Sequence, residues 1–147
     1  MVQKKNKKNI YTILLNSFLK NGKKQLFKKL IDNLFLNLSK NYKISSSNLL
    51  RYIFKSLYSL VEIKKVKIHR RVHMVPFSIK KNRRYYLIIK WLKKSLLEDK
   101  RHVSFHEKLK VEIIKILFNK KLSNALQFKS LNSSQAFLNR SNIHYRW

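Results

Sequence analysis

Cysteine is absent from this chain, glycine and proline occur once each (Gly22 and Pro76), and 6 acidic residues stand against 35 lysines and arginines. Each shortage excludes something. Without cysteine there is no disulfide and no thiolate metal site. A lone glycine leaves no phosphate-cradling loop, and Glu98, Asp99 and Glu107 suit loops and helix starts better than a general acid and base. The histidines include one pair at helical spacing, His102 and His106, but no carboxylate completes a metal set. No enzyme, cofactor or metal is therefore expected. No apolar run approaches the ~20 residues of a membrane-spanning helix. Basic residues are spread over every segment instead of one amphipathic helix, so no membrane partner is expected either.

What the chain does have is positive charge: a formal net charge of +29 over 147 residues, beside a hydrophobic content of 44%. The apolar fraction supports one domain with a real core. The like charge strains a free monomer by self-repulsion, so a large anion must normally neutralise it. The sign and spread of the cations favour nucleic acid. An acidic protein partner is the alternative.

The stretch from Val61 to Trp91 is the part that does not read as a helix of a bundle. Val61 and Ile63 alternate with Glu62 and Lys64, and Val75, Phe77 and Ile79 alternate with Pro76 and Ser78, the period of a strand with one covered face. Further out the apolar positions change parity, to Val66 and Ile68 and to Val72 and Met74. Pairing Val61 with Ile79, Ile63 with Phe77, Val66 with Met74 and Ile68 with Val72 sets apolar against apolar. That register predicts a three-residue tip, His69, Arg70 and Arg71, since a two-residue tip needs positive φ that glycine or asparagine supplies more cheaply. It also puts Lys65, Lys67, Arg71 and His73 on one side of the outer ribbon and Val66, Ile68, Val72 and Met74 on the other. Two strands alone are marginal in water, so this arm needs a body beneath it and a polyanion beside it.

Around the arm the pattern is helical. Residues 1–9 read as a solvated basic tail, and residues 10–147 as a single helical domain. A first helix over Ile10 to Lys20 turns Tyr11, Leu14, Leu15 and Phe18 inward, and Asn21-Gly22 stops it. A second, over Lys23 to Leu38, carries Leu26, Phe27, Leu30, Ile31, Leu34, Phe35 and Leu38 at the cleanest helical period in the chain. After a loop from Ser39 to Ser47, whose serines can cap, a third carries Leu49, Leu50, Ile53, Phe54, Leu57 and Leu60. The fourth begins near Asn82 and buries Tyr85, Ile88, Ile89, Leu92 and Leu96. Lys80, Lys81, Arg83 and Arg84 crowd its first turn, where they oppose the helix dipole, so a phosphate ligand there is expected. A fifth opens with a Ser104–Glu107 capping box and buries Leu109, Ile113, Ile116 and Leu117. A basic linker from Asn119 to Leu131 leads to a last helix near Ser133 to Ile143. The fold class expected is mainly α, a bundle of about six helices with one protruding β-hairpin arm at about residues 61–79.

The order of elements and several local motifs together resemble the bacterial-type family of the seventh small-subunit ribosomal protein. The likeness rests on Asn21-Gly22-Lys23-Lys24, on Val61-Glu62-Ile63-Lys64, on Val75-Pro76, on Arg83-Arg84 with Trp91, and on His144-Tyr145-Arg146-Trp147. It implies a protein that binds the 3′ major domain of small-subunit rRNA, supports assembly of the head beside neighbouring head proteins, and sets its arm near the exit-site tRNA and the mRNA path. The RNA-contacting residues expected from charge and carried position together are Lys23, Lys24, Lys64, Lys65, Lys67, Arg70, Arg71, Lys80, Lys81, Arg83, Arg84, Lys90 and Arg146, with Trp91 and Trp147 structural. His69-Arg70 replaces the glycine pair usual at the family's tip, and the chain stops at Trp147, where the family's longer tail would follow. The residue bias toward Lys, Asn, Ile, Phe and Tyr resembles AT-rich coding, and MVQKKNKKN is neither a signal peptide nor an import leader. The expectation is a protein made in the organelle where it works, a mitochondrion, with a plastid as the alternative. A free-standing architectural DNA binder would share the charge, but neither a recognition helix nor a repeated wedge motif is present.

Overall fold

The computed structural model describes residues 10–19 and 21–146. The basic tail, the end of the first helix at Lys20 and the role of Trp147 lie outside them. Six α-helices are present among the described residues: α1 (Ile10–Phe18), α2 (Lys24–Tyr42), α3 (Ser46–Ser56), α4 (Lys81–Glu98), α5 (Phe105–Leu117) and α6 (Asn124–Leu138). Between α3 and α4 stand β1 (Val61–Ile68) and β2 (Arg71–Ser78), a two-stranded antiparallel hairpin. A short 3-10 turn, Lys120–Leu122, precedes α6, and a 3-10 segment, Arg140–Tyr145, follows it.

One apolar core joins all six helices. Leu14 and Phe18 of α1, Leu34 and Leu38 of α2, Leu49 and Ile53 of α3, Ile88 and Leu92 of α4, Ile113 and Ile116 of α5, and Ala125 of α6 are buried together. These are the positions that helical periodicity turns inward, and their removal from water is the main force closing the bundle. Rings knit its edge: Phe105 of α5 lies edge-on to Phe18 at 5.4 Å and beside Phe27 at 5.6 Å. Trp91 is buried in a smaller cluster with Ile79 and Leu87, covered by Phe128, which ties the end of the arm to α4 and α6.

The turn between α1 and α2 follows its sequence. Asn21 and Gly22 both take left-handed backbone, φ 52° and 69°, the conformation these two residue types reach most cheaply. Elsewhere the boundaries depart from the periodicity. α2 continues to Tyr42, because the Tyr42 ring packs at 4.9 Å from Phe118 and the helix ends only when Lys43 turns left-handed. The Ser39–Ser47 loop thus shrinks, although Ser45 does cap α3, accepting from the Asn48 amide at 3.4 Å. Leu26, Leu30 and Leu60 are 60%, 45% and 59% exposed instead of core, since the apolar stripe of α2 is wider than its contact with α1 and α5, and Leu60 falls beyond the end of α3. Ser104 precedes α5 in extended backbone, but its hydroxyl makes no cap bond, so the capping box is not formed.

The largest departure is at the C-terminal side. Residues expected as a linker are helical from Asn124, and the last expected helix is instead the end of α6 and the 3-10 segment. A buried carboxylate explains this start. Glu112 of α5, 5% exposed, accepts from the Ser123 hydroxyl at 2.8 Å and the Ala125 amide at 3.0 Å, while Ser123 accepts from the Leu126 amide at 3.3 Å. Two acceptors therefore satisfy the first free amides of α6.

Candidate nucleic-acid interface

The hairpin register is one residue away from the apolar-to-apolar pairing. Val61 faces Ser78, Ile63 faces Pro76, Lys65 faces Met74, Lys67 faces Val72 and Ile68 faces Arg71, which leaves a two-residue tip, His69-Arg70, with His69 at φ 51°. Histidine tolerates this conformation at modest cost. A one-residue slip moves the side chains of one strand to the opposite face. Val72 and Met74 consequently share a face with Lys65 and Lys67, and Val66 and Ile68 share the other with His73 and Arg71. The expected separation into a charged and an apolar side does not exist.

Contacts outside the ribbon hold this register. Asn142 donates its side-chain amide to the Met74 carbonyl at 3.1 Å, Arg146 donates its Nε to the Pro76 carbonyl, and the Tyr145 ring lies 4.7 Å from His73. From α6, Asn132 donates to the Val61 carbonyl at 2.7 Å. Four polar or aromatic groups from the C-terminal third thus clasp the two strands, and optimal cross-strand pairing loses to them.

At the root of the arm Glu62 is 8% exposed and accepts from Arg83 twice, from Nε at 2.9 Å and from Nη2 at 2.7 Å. Planar forks of this kind are among the stronger protein ion pairs. The Arg83 fork, with Lys64 and Lys90 near enough to add their fields, holds the Glu62 carboxyl below its ordinary value of 4.5. Arg83 also lies 4.9 Å from the Tyr86 ring. Arg84 donates its Nε to the Ile79 carbonyl at 2.9 Å, pairs with the Tyr58 hydroxyl and stands 4.9 Å over the Tyr58 ring. Both arginines of the crowded helix start are therefore fastened to the arm's root, which explains how α4 tolerates them.

The remaining expected contacts sort by place. Lys64, Lys65, Lys67, Arg70 and Arg71 are exposed on the arm, and Lys80, Lys81 and Lys90 are exposed on α4 and its start. Lys64 and Arg146 approach one ring, Phe77, at 5.0 Å and 5.9 Å. Since Phe77 faces Glu62 across the strands, the fold gathers Lys64, Arg83, Lys90 and Arg146 around one root. Lys23 and Lys24 stand apart from that group at the start of α2, Lys23 beside a groove of about 370 Å³ lined by Phe18, Phe27, Phe105 and Leu109. Sequence reasoning missed Glu62, Tyr58, Tyr86 and Phe77 as organisers. The scarcity of acid was the available signal, because an acidic residue inside a cationic strand calls for a reason. Among the described residues no group of three or more histidines and carboxylates could hold a metal, and no helix is long and apolar enough to cross a membrane.

The ion pair carries a pH prediction. A carboxylate whose folded value is depressed contributes stability above its unfolded value, and that contribution is lost as pH falls through the folded one. The Glu62 carboxyl resonance should accordingly titrate below 4.5, with the amides of β1 shifting alongside it. A midpoint at or above 4.5 in carbon-detected NMR would mean that the Arg83 fork is open in solution.

Comparison with known proteins adds an independent line. A family model described as ribosomal protein S7p/S5e matches residues 1–140. The chain is similar to small ribosomal subunit protein uS7m of Reclinomonas americana, 26% identical over 95% of this chain and 86% of that protein. It is similar to uS7 of Acidithiobacillus ferrooxidans, 23% identical over 97% of this chain and 90% of the relative, and to uS7c of Cyanidium caldarium, 25% identical over 94% and 86%.

Proposed function

The chain belongs to the ribosomal protein S7p/S5e family, and from that premise we propose that it binds the 3′ major domain of small-subunit rRNA and supports assembly of the subunit head. Its class follows from the family: a structural, rRNA-binding protein of the small ribosomal subunit and not an enzyme. The arm, on our reading, lies near the exit-site tRNA and the mRNA path, with neighbouring head proteins around the bundle. The RNA-facing residues are the exposed cations of the arm and α4, Lys64, Lys65, Lys67, Arg70, Arg71, Lys80, Lys81 and Lys90, with Arg83, Arg84 and Arg146 behind them and Lys23 and Lys24 as a separate contact. Relatives designated uS7m and uS7c support an organellar ribosome, for which our reading is the mitochondrial one with the plastid as the alternative.

The observation that carries this reading is the gathering of Lys64, Arg83, Lys90 and Arg146 at the root of an arm whose outer half is studded with cations. A polyanion beside that surface offsets the repulsion of a +29 chain. Where family members are expected to present glycines at the tip, this chain presents His69-Arg70, a bulkier cationic end. In native lysate the protein should sediment with small subunits and leave that fraction after RNase but not after DNase. Release by DNase alone would instead favour a free-standing architectural DNA binder.

A further inference from the structure

We propose that Glu62 is a positioning residue for RNA: its buried carboxylate holds Arg83, Lys64 and Lys90 as one convergent group at the arm's root, preformed to take a backbone phosphate. This rests on the rRNA-binding reading above and adds to it the one acid that shapes the site.

Glu62 is set apart from the other acidic residues by its surroundings. Asp32 accepts from Tyr11, Glu98 pairs with Lys94 one helical turn away, Asp99 pairs with Arg101, and Glu112 caps α6. Glu107 stands in the first turn of α5. Glu62 alone among them sits amid cations expected to meet RNA. Its partner Arg83 is fixed on three sides, by both carboxylate oxygens and by the Tyr86 ring, yet its side chain remains 48% exposed. Lys64 follows two residues along the same strand face, and Lys90 follows Arg83 by two helical turns on the same side of α4. Phe77, opposite Glu62, presents its ring face to the Lys64 ammonium, 5.0 Å from the centroid. Without the anion Arg83 loses both bonds that fix its fork and faces the like charges of Lys64 and Lys90 uncompensated, and ordering it again would weaken binding. The carboxylate is nearly buried while Arg83 stays half exposed, so it orders the cation without itself facing the ligand.

This makes a prediction opposite in sign to plain charge counting. Glu62→Gln raises a formal charge of +29 by one, and simple attraction to phosphate would then tighten binding. Positioning requires that it weaken binding. The test uses the full chain, the small-subunit rRNA transcribed from the same genome, and an unrelated RNA of equal length, each titrated over a salt series. Glu62→Gln should bind its own rRNA about tenfold more weakly, with the slope of log affinity on log salt shallower by about one phosphate, and bind the unrelated RNA no more weakly than wild type. Arg83→Lys, which keeps the charge and loses the fork, should give the same loss, and the double variant should lose little more than either. Equal or tighter binding of the cognate rRNA by Glu62→Gln overturns the proposal. So does a loss of equal size on both RNAs with an unchanged slope, which marks a general loosening of the fold. If wild type itself shows no preference for its own rRNA, the rRNA-binding reading fails and takes this inference with it.

Discussion

Raising salt from 50 to 200 mM is expected to weaken binding to the cognate rRNA about a thousandfold, the change that about six phosphate contacts produce through counterion release. The exposed cations of the arm and the α4 start supply that number: Lys64, Lys65, Lys67, Arg70, Arg71, Lys80, Lys81 and Lys90 all stand in solvent. The structure also says which cations should contribute least to the slope. Arg84 donates to the Ile79 carbonyl and the Tyr58 hydroxyl, so its guanidinium is held at the arm's root with fewer N–H groups left to reach a phosphate. Each exposed lysine changed to alanine should reduce the slope by about one, and Arg84→Ala should reduce it by less while loosening the arm's root. Filter binding or fluorescence anisotropy over a salt series measures both. A fall of less than about tenfold across that range would refute an interface dominated by phosphate neutralisation.

The second large effect concerns stability. Glu112→Ala should destabilise the RNA-free protein by about 3 kcal/mol, because it removes the acceptor for two buried donors and the cap of α6 together. The donors cannot turn to water: Ser123 and Ala125 are both 0% exposed. For a domain of this size the melting temperature should fall by about 10 °C. Glu112→Gln keeps one carbonyl oxygen in place and should cost less than half as much. Glu98→Ala provides the contrast, since its pair with Lys94 is a 3.6 Å contact between exposed side chains and is worth only a few tenths of a kcal/mol by analogy with other helical pairs. Circular dichroism melts of the three variants rank them directly. If Glu112→Ala melts with Glu98→Ala, the carboxylate is not the buried cap described here.

The loss of Glu112 would also reach the arm, because α6 carries Asn132, whose side chain holds the Val61 carbonyl, and Lys129, whose ammonium donates to the Ser56 carbonyl at 2.7 Å. The start of α6 is thus coupled to the ribbon through one helix. A stability measurement on the bundle is in this sense also a measurement on the arm's setting.

The sequence by itself determined the bundle, the presence and place of the arm, and the cationic surface. Apolar residues at helical spacing, as in Leu34, Phe35 and Leu38 or Ile88, Ile89 and Leu92, can be buried together only as a helix face, so local pattern and tertiary burial agree. The Asn21-Gly22 turn was equally legible, because left-handed backbone selects residue type directly. Tertiary structure alone decided the rest. The arm's register followed Asn142, Tyr145 and Arg146, about 70 residues along the chain from their partners in β2, and no pairing rule within the ribbon contains them. The start of α6 followed a carboxylate on α5, where the helix's own sequence shows scant periodicity. The fastening of Arg83 at the arm's root followed Glu62, 21 residues away along the chain. At Glu62 and Glu112 the deciding group is a buried carboxylate, whose burial forces its bonds to be made, and at the arm it is a set of C-terminal side chains; in each case the partner lies far along the chain, and only the closed fold says which it is.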